Sequence, residues 1–233
     1  MKTIKIQGEI GWDVLAQNVE IDLNNASGDI IVEIDSLGGD VFEGVKIFNL
    51  LKDYNKGEVT VVINATAASM GSYIAMAGDK IKAHDNAVFM IHNPWTVAIG
   101  DYREFYKIAE VSEGLAKLLA KKYTQQTGKS EVEIRNLMDE ESWFFGEEIV
   151  SAGFADEIIK TDEDKDKQAL IALNKERFKA VVKKLKEREE EVQSKQVAAL
   201  AKVIKKELQD KKTKASYELA KAKLNLLKRS LNG

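Results

Sequence analysis

Residues 2–10 alternate apolar and polar positions, a period of two that predicts a strand. Ile30–Ile34 is a short apolar run between Ser27-Gly28-Asp29 and Ser36-Leu37-Gly38-Gly39, which predicts a buried strand. Val41, Val45, Phe48 and Leu50 or Leu51 then recur at helical spacing, predicting an amphipathic helix over 41–55 that Gly57 ends. Val59–Ile63 is a second β-branched run, and Ala65–Ala77 is rich in small helix formers. Ile81–Ala83 and Ala87–Ile91 read as short strands. Tyr102–Gln126 predicts a long helix with Phe105, Ile108, Val111, Leu115, Leu118 and Leu119 inward and Gly128 at its end. Helices over 131–138 and 144–152 and a last strand over 155–159 follow. Strand and helix alternate so often that the fold class is α/β, with largely parallel pairing through short crossovers.

The pattern changes past Lys160. Thr161–Asp166 is a charged linker, and beyond it an imperfect 3–4 spacing runs from Phe178 to Leu231, interrupted by Glu189–Glu191 and Asp210–Lys214. The stripe is too narrow to demand a coiled coil. Charge makes the same division. Residues 1–160 hold 15 Lys+Arg and 26 Asp+Glu, a net −11; residues 161–233 hold 20 and 12, a net +8; together they give the overall −3. The first part has 14 of the 15 glycines, the only proline and all three tryptophans. The expected organisation is an acidic domain over 1–160 and a basic, charged helical extension over 161–233.

Composition removes several kinds of chemistry. The 233 residues include no cysteine, so disulfides, thiol nucleophiles and Cys-ligated metals are excluded. With His84 and His92 as the only histidines, no metal site and no cofactor is expected. The N-terminus lacks the apolar run of a signal peptide, and no stretch approaches the ~20 apolar residues of a membrane helix. A cytoplasmic location with no membrane partner is the expectation.

Four element boundaries carry candidate chemistry. In Ala65-Thr66-Ala67-Ala68-Ser69-Met70-Gly71, a strand runs through small residues into a helical pattern, as in elbows that present a nucleophilic hydroxyl at a helix N-terminus. Ser69 fits that role, and it equally fits a simple N-cap. Asp35-Ser36-Leu37-Gly38-Gly39-Asp40 follows a buried strand. Its glycines permit positive φ and close backbone approach to an anion or carbonyl oxygen, or they form an ordinary turn. Met90-Ile91-His92-Asn93-Pro94 sets a histidine at a strand end, as a general base or as a satisfied polar residue. His84 lies in a turn signal. Asp139, Glu140 and Glu141 precede a predicted helix, where one could orient the histidine or all could complement the helix dipole.

In this order the four motifs resemble the Clp protease proteolytic subunit family, most closely the head maturation (prohead) proteases of tailed phages and prophages. Ala65–Gly71 and Met90–Pro94 match that family closely. Trp143–Ile158, with Gly146-Glu147-Glu148 and Ala152-Gly153-Phe154-Ala155-Asp156, matches the phage branch. The resemblance covers about residues 1–160. It implies a repeated ββα superhelix of the Clp and crotonase type, a serine endopeptidase activity and assembly of copies into a homo-oligomeric ring. It implies Ser69 as nucleophile, His92 as base, and backbone N–H groups of Met70 and of Gly38 or Gly39 as oxyanion donors. Counting back from Gly153, the triad acid falls on Glu141, with Asp139 as the alternative. Leu37 stands where the family usually has proline. The first strand begins almost at Met1, so dependence on an ATPase partner is not expected. By the phage resemblance the substrate is a capsid or scaffold protein, and the extension over 161–233 delivers the enzyme to the assembling shell and is cut off. Nucleic acid is not an expected partner, because acids interleave the basic residues without stacking aromatics. A non-catalytic scaffold of the same fold and a crotonase-type acyl-CoA enzyme are the rival readings.

Overall fold

The computed structural model describes residues 1–160. The expected extension over 161–233 lies outside the described residues. Thirteen elements follow one another in the described residues. They are β1 (Lys2–Ile10), α1 (Ala16–Asn24), β2 (Ile30–Gly39), α2 (Val41–Lys52), β3 (Val59–Ala68), α3 (Met70–Ala75), β4 (Lys80–His84), β5 (Val88–Ile91), α4 (Tyr102–Thr127), α5 (Glu131–Asp139), β6 (Ser142–Phe145), α6 (Glu147–Ser151) and β7 (Glu157–Ile159).

The α/β class and its parallel sheet are as expected. The order β1-β2-β3-β4-β7 is parallel throughout. The sheet divides at β3, because that strand is longer than either of its later partners. Thr60–Ile63 pair with Lys80–Ala83 of β4, and Thr66–Ala68 pair with Val88–Met90 of β5. β6 then adds antiparallel to β5, ending at the pair Ile91 and Ser142. This side branch of β3, β5 and β6 carries the site.

Burial follows the periods in the chain. β2 alternates buried Ile30, Val32 and Ile34 with partly covered residues, while α2 turns Ile47, Phe48 and Leu51 inward. A second part of the core is aromatic. Phe89 stacks on Phe154 at 4.8 Å, Phe154 meets Tyr123 edge-on at 6.0 Å, and Tyr123 meets Tyr73 at 6.5 Å. Tyr123 thereby fastens the C-terminal half of α4 beneath β5 and α3.

Several boundaries differ from expectation for identifiable reasons. α1 has no apolar stripe strong enough to announce it; its N-terminus is held instead by Glu43, whose Oε1 accepts from Ala16 N–H at 2.5 Å. Residues 65–68 are strand rather than helix, because pairing with β5 overrides the helix preference of alanine. Gly38 and Gly39 continue β2 instead of forming a turn after it. Residues 144–145 belong to β6, and the following helix is only Glu147–Ser151. The apolar stripe of α4 is real but covers two environments. Leu119 is buried, whereas Phe105, Val111 and Leu118 are exposed.

Candidate active site

The site begins where β3 ends. Ser69 has φ 53° and ψ −122°, a region that an L-residue enters at a cost of order 1–3 kcal/mol. The same conformation recurs where β6 turns into α6. The residue there is Gly146, with φ 53° and ψ −117°. So the elbow is one that glycine would fill without strain, and at residue 69 a serine fills it. Ser69 stands at the N-cap position of α3, but its side chain makes no capping bond to the helix. Its Oγ lies 2.8 Å from His92 Nε2.

Register sets that contact. Ala68 pairs with Met90, and the next N–H, that of Ser69, donates to the Met90 carbonyl at 3.0 Å. His92 is the first residue past β5, so its ring reaches back over the elbow. The imidazole is mostly buried. Burial pushes its pKa below the usual histidine value, while the nearby Glu141 carboxylate acts weakly in the opposite sense. The ring is therefore neutral at neutral pH, and Nε2 can accept the Ser69 proton while Nδ1 carries the N–H.

Beyond the pair of Ile91 and Ser142, the next two residues facing each other are His92 and Glu141. Glu141 Oε2 lies 3.8 Å from His92 Nδ1, an ion-pair distance rather than a closed hydrogen bond. Glu141 follows the C-cap of α5 and takes φ 51°, a place that glycine or asparagine usually occupies. Ser69 and Glu141 are the only non-glycine residues with positive φ among the described residues. Strain of this kind concentrates at functional sites. The acidic run Asp139–Glu141 lies at the C-terminus of α5, not before a helix, so the helix-dipole reading fails on sign. Asp139 is engaged elsewhere: its Oδ1 accepts from Asn93 Nδ2 at 2.6 Å. It steadies the residue after the histidine rather than the histidine.

The two glycines have different neighbours. A Cβ on Gly38, which has φ 101°, would stand 2.6 Å from Ser69 Cβ and 3.0 Å from Met70 N. Gly38 therefore lies against the serine and against the first N–H of α3, which has no partner within the helix. Gly39, with φ 144°, instead lets β2 close onto the Ile10 backbone of β1. The Gly38 N–H donates to Ser36 Oγ at 3.1 Å, and that hydroxyl donates to the Gly8 carbonyl at 2.6 Å. Buried Ser36 thus ties the glycine segment to β1. Sequence reasoning passed over Ser36, Ser72, Asn93 and Tyr123. Their only mark in the sequence is proximity to a motif, and Tyr123 lacks even that.

Ser69, His92 and Glu141 therefore come together at the ends of β3, β5 and β6, with Met70 and Gly38 beside the hydroxyl. A serine hydroxyl bonded to a neutral buried imidazole can attack an acyl carbon, and N–H groups beside it can hold the resulting oxyanion.

A sequence model of the family described as Clp protease matches residues 2–162. The chain is 31% identical over 168 residues to the ATP-dependent Clp protease proteolytic subunit of Streptococcus pyogenes serotype M5 (strain Manfredo), covering 70% of this chain and 85% of that protein. The subunits of that name from serotype M49 (strain NZ131) and serotype M1 match with the same identity and coverage.

Proposed function

The chain belongs to the Clp protease family of serine-type peptidases, and on that premise we propose that it is an endopeptidase of phage head maturation, using Ser69, His92 and Glu141 as its triad. His92 Nε2 removes the Ser69 hydroxyl proton as Oγ bonds to the scissile carbonyl carbon. Glu141 keeps the imidazole oriented and balances the positive charge that forms on it. The oxyanion is received by the N–H of Met70 and by that of Gly39, of the two glycines the sequence offered, since the Gly38 N–H already donates to Ser36 Oγ. Such a donor is typically worth ~3 kcal/mol of barrier. His92 then returns its proton to the leaving amine, and water hydrolyses the acyl-enzyme. The observation that supports this reading most is the 2.8 Å contact between Ser69 Oγ and His92 Nε2, made from a backbone at positive φ.

The phage assignment draws on the closing segment Trp143–Ile158, and the substrate it indicates is a capsid or scaffold protein in the assembling procapsid. The basic residues 161–233 serve there as the delivery segment. Members of the family form homo-oligomeric rings and cleave protein substrates. Exposed Tyr102, Phe105 and Tyr106 share one face of the first turns of α4, an apolar surface suited to covering by further copies of this chain. A light-scattering mass of one 26.0 kDa chain would contradict the ring. The relatives are named ATP-dependent, but peptide hydrolysis at this site needs no nucleotide, so short peptides are expected to be cut without ATP.

The test is co-expression with a candidate major capsid protein, with products read by mass spectrometry. Discrete cleavage that Ser69→Ala abolishes is the expected result. An intact capsid protein beside an enzyme that still cuts casein would remove the phage role and leave the peptidase.

A further inference from the structure

The reaction as described makes no use of a chain of buried hydroxyls behind the elbow. Ser72, on α3, is fully buried, and its Oγ donates to the Ser69 carbonyl at 2.6 Å. The same Oγ lies 2.8 Å from the Oη of Tyr123, on α4. A carbonyl can only accept, so the single Ser72 proton is committed to Ser69. The Tyr123 phenol must therefore donate to Ser72. Tyr123 is itself 1% exposed, and edge-on contacts with Tyr73 and Phe154 fix its ring. Burial pushes the phenol pKa far up, so it keeps its proton throughout the working range.

We infer that Tyr123 and Ser72 are positioning residues for the Met70 N–H, acting through the Ser69–Met70 peptide group. The inference rests on the reading of Ser69 as nucleophile. The Ser69 carbonyl and the Met70 N–H belong to one planar trans peptide and point in opposite directions. Two donors grip the carbonyl oxygen, the Ser72 hydroxyl at 2.6 Å and the Tyr73 N–H at 3.1 Å. Fixing the oxygen on the α3 side aims the N–H the other way, toward the serine hydroxyl and Gly38. Donation to the carbonyl also polarises the amide, so the N–H at its far end becomes a stronger donor.

A helix start does not need this arrangement. The Tyr73 N–H alone satisfies the Ser69 carbonyl in the ordinary i to i+4 manner. Ser72 adds a second acceptor bond, and Tyr123 adds a third member from 51 residues away. The device also joins the elbow to α4, whose C-terminal half is packed and whose N-terminal half is exposed.

The expected effect follows from what an oxyanion donor supplies. Removing one entirely costs about 10²–10³ in kcat. Cooperative polarisation adds about 10–30% to a bond, and that fraction of a 10³ effect is about 2- to 8-fold. The experiment compares wild type, Ser72→Ala, Tyr123→Phe and the double variant on a fluorogenic peptide that the wild type cuts. Its readouts are kcat, KM, Ki for a peptidyl boronate and Tm. Ser72→Ala strands the Tyr123 hydroxyl in the core and is expected to lose stability. The double variant removes both polar partners and is expected to regain most of it. Despite that recovery, kcat stays about 2- to 8-fold low, KM is unchanged, and boronate Ki rises by the same factor as kcat falls. If kcat returns with Tm in the double variant, the hydroxyls are only structural and the inference is overturned. Fluorophosphonate labelling of wild-type Ser69, run alongside, separates the two levels. Labelled wild type with a fully active double variant removes this inference alone; unlabelled wild type removes the reading of Ser69 and the inference with it.

Discussion

Replacing Ser69 by glycine is expected to make the protein more stable than replacing it by alanine, although both variants lose activity. Each removes the hydroxyl and its bond to His92, so that loss cancels in the comparison. What differs is the Cβ on a backbone held at φ 53° and ψ −122°. Alanine keeps the strain, of order 1–3 kcal/mol, and glycine releases it. Against this, glycine's unfolded chain is freer by ~0.4–1 kcal/mol. The centre of the balance is about 1 kcal/mol in favour of glycine, or about 2–4 °C in Tm for a chain of this size. Gly146, at φ 53° and ψ −117° in the second elbow, is the internal control, since Gly146→Ala should lose at least as much. Its Cβ would also press on the Asp85 carbonyl. Urea unfolding of the full chain, followed by tryptophan fluorescence at one fixed concentration, measures the difference with the contribution of association held equal. A Ser69→Gly protein equal to or less stable than Ser69→Ala would refute the claim that the elbow is strained for function.

Other consequences concern the acid, the base and the glycine. Glu141→Gln should lower kcat by about 10²–10⁴, whereas Asp139→Asn, which loses only the Asn93 contact, should stay within a few-fold; the reverse pattern in peptide turnover would reassign the acid. His92 must be neutral to accept a proton, and burial lowers its pKa, so kcat/KM should persist below the ordinary 6.5 of histidine and fall as pH drops through the lowered value. Glu141→Gln removes the one influence that raises the pKa, so the acid limb should move further down; a limb above 6.5 in a pH–rate profile would contradict this. Gly38→Ala places a Cβ 2.6 Å from that of Ser69 at φ 101°, and should abolish fluorophosphonate labelling. Labelling at the wild-type rate would show that the glycine segment yields without affecting the serine.

The chain announced the parts of this fold that repeat. The alternation over 2–10, the β-branched runs near 30 and 60 and the stripe of α2 are all periodic, and each became the expected element. The Ser69 and His92 motifs were legible because small residues beside a serine, and a histidine beside a proline, stand out in composition. What was not legible depends on partners far along the chain. β6 is four residues long, too short for a period of two to emerge, and reads as the start of the helix behind it. The 65–68 segment looks helical until β5 pairs with it. Glu141 owes its place to the register of β5 on β6, and counting from Gly153 located it without explaining it. Tyr123 looks like any core residue of α4, because nothing near it in the sequence indicates a serine on another helix.

The central claim is that Ser69 is the nucleophile, and covalent capture tests it most directly. The full chain is treated with a fluorophosphonate and digested, and the modified residue is mapped by mass spectrometry. A single adduct on Ser69 is expected, absent in Ser69→Ala and slowed in His92→Ala, which keeps the hydroxyl but lacks its base. Equal labelling of wild type and Ser69→Ala, or an adduct on another serine with Ser69 untouched, would contradict it.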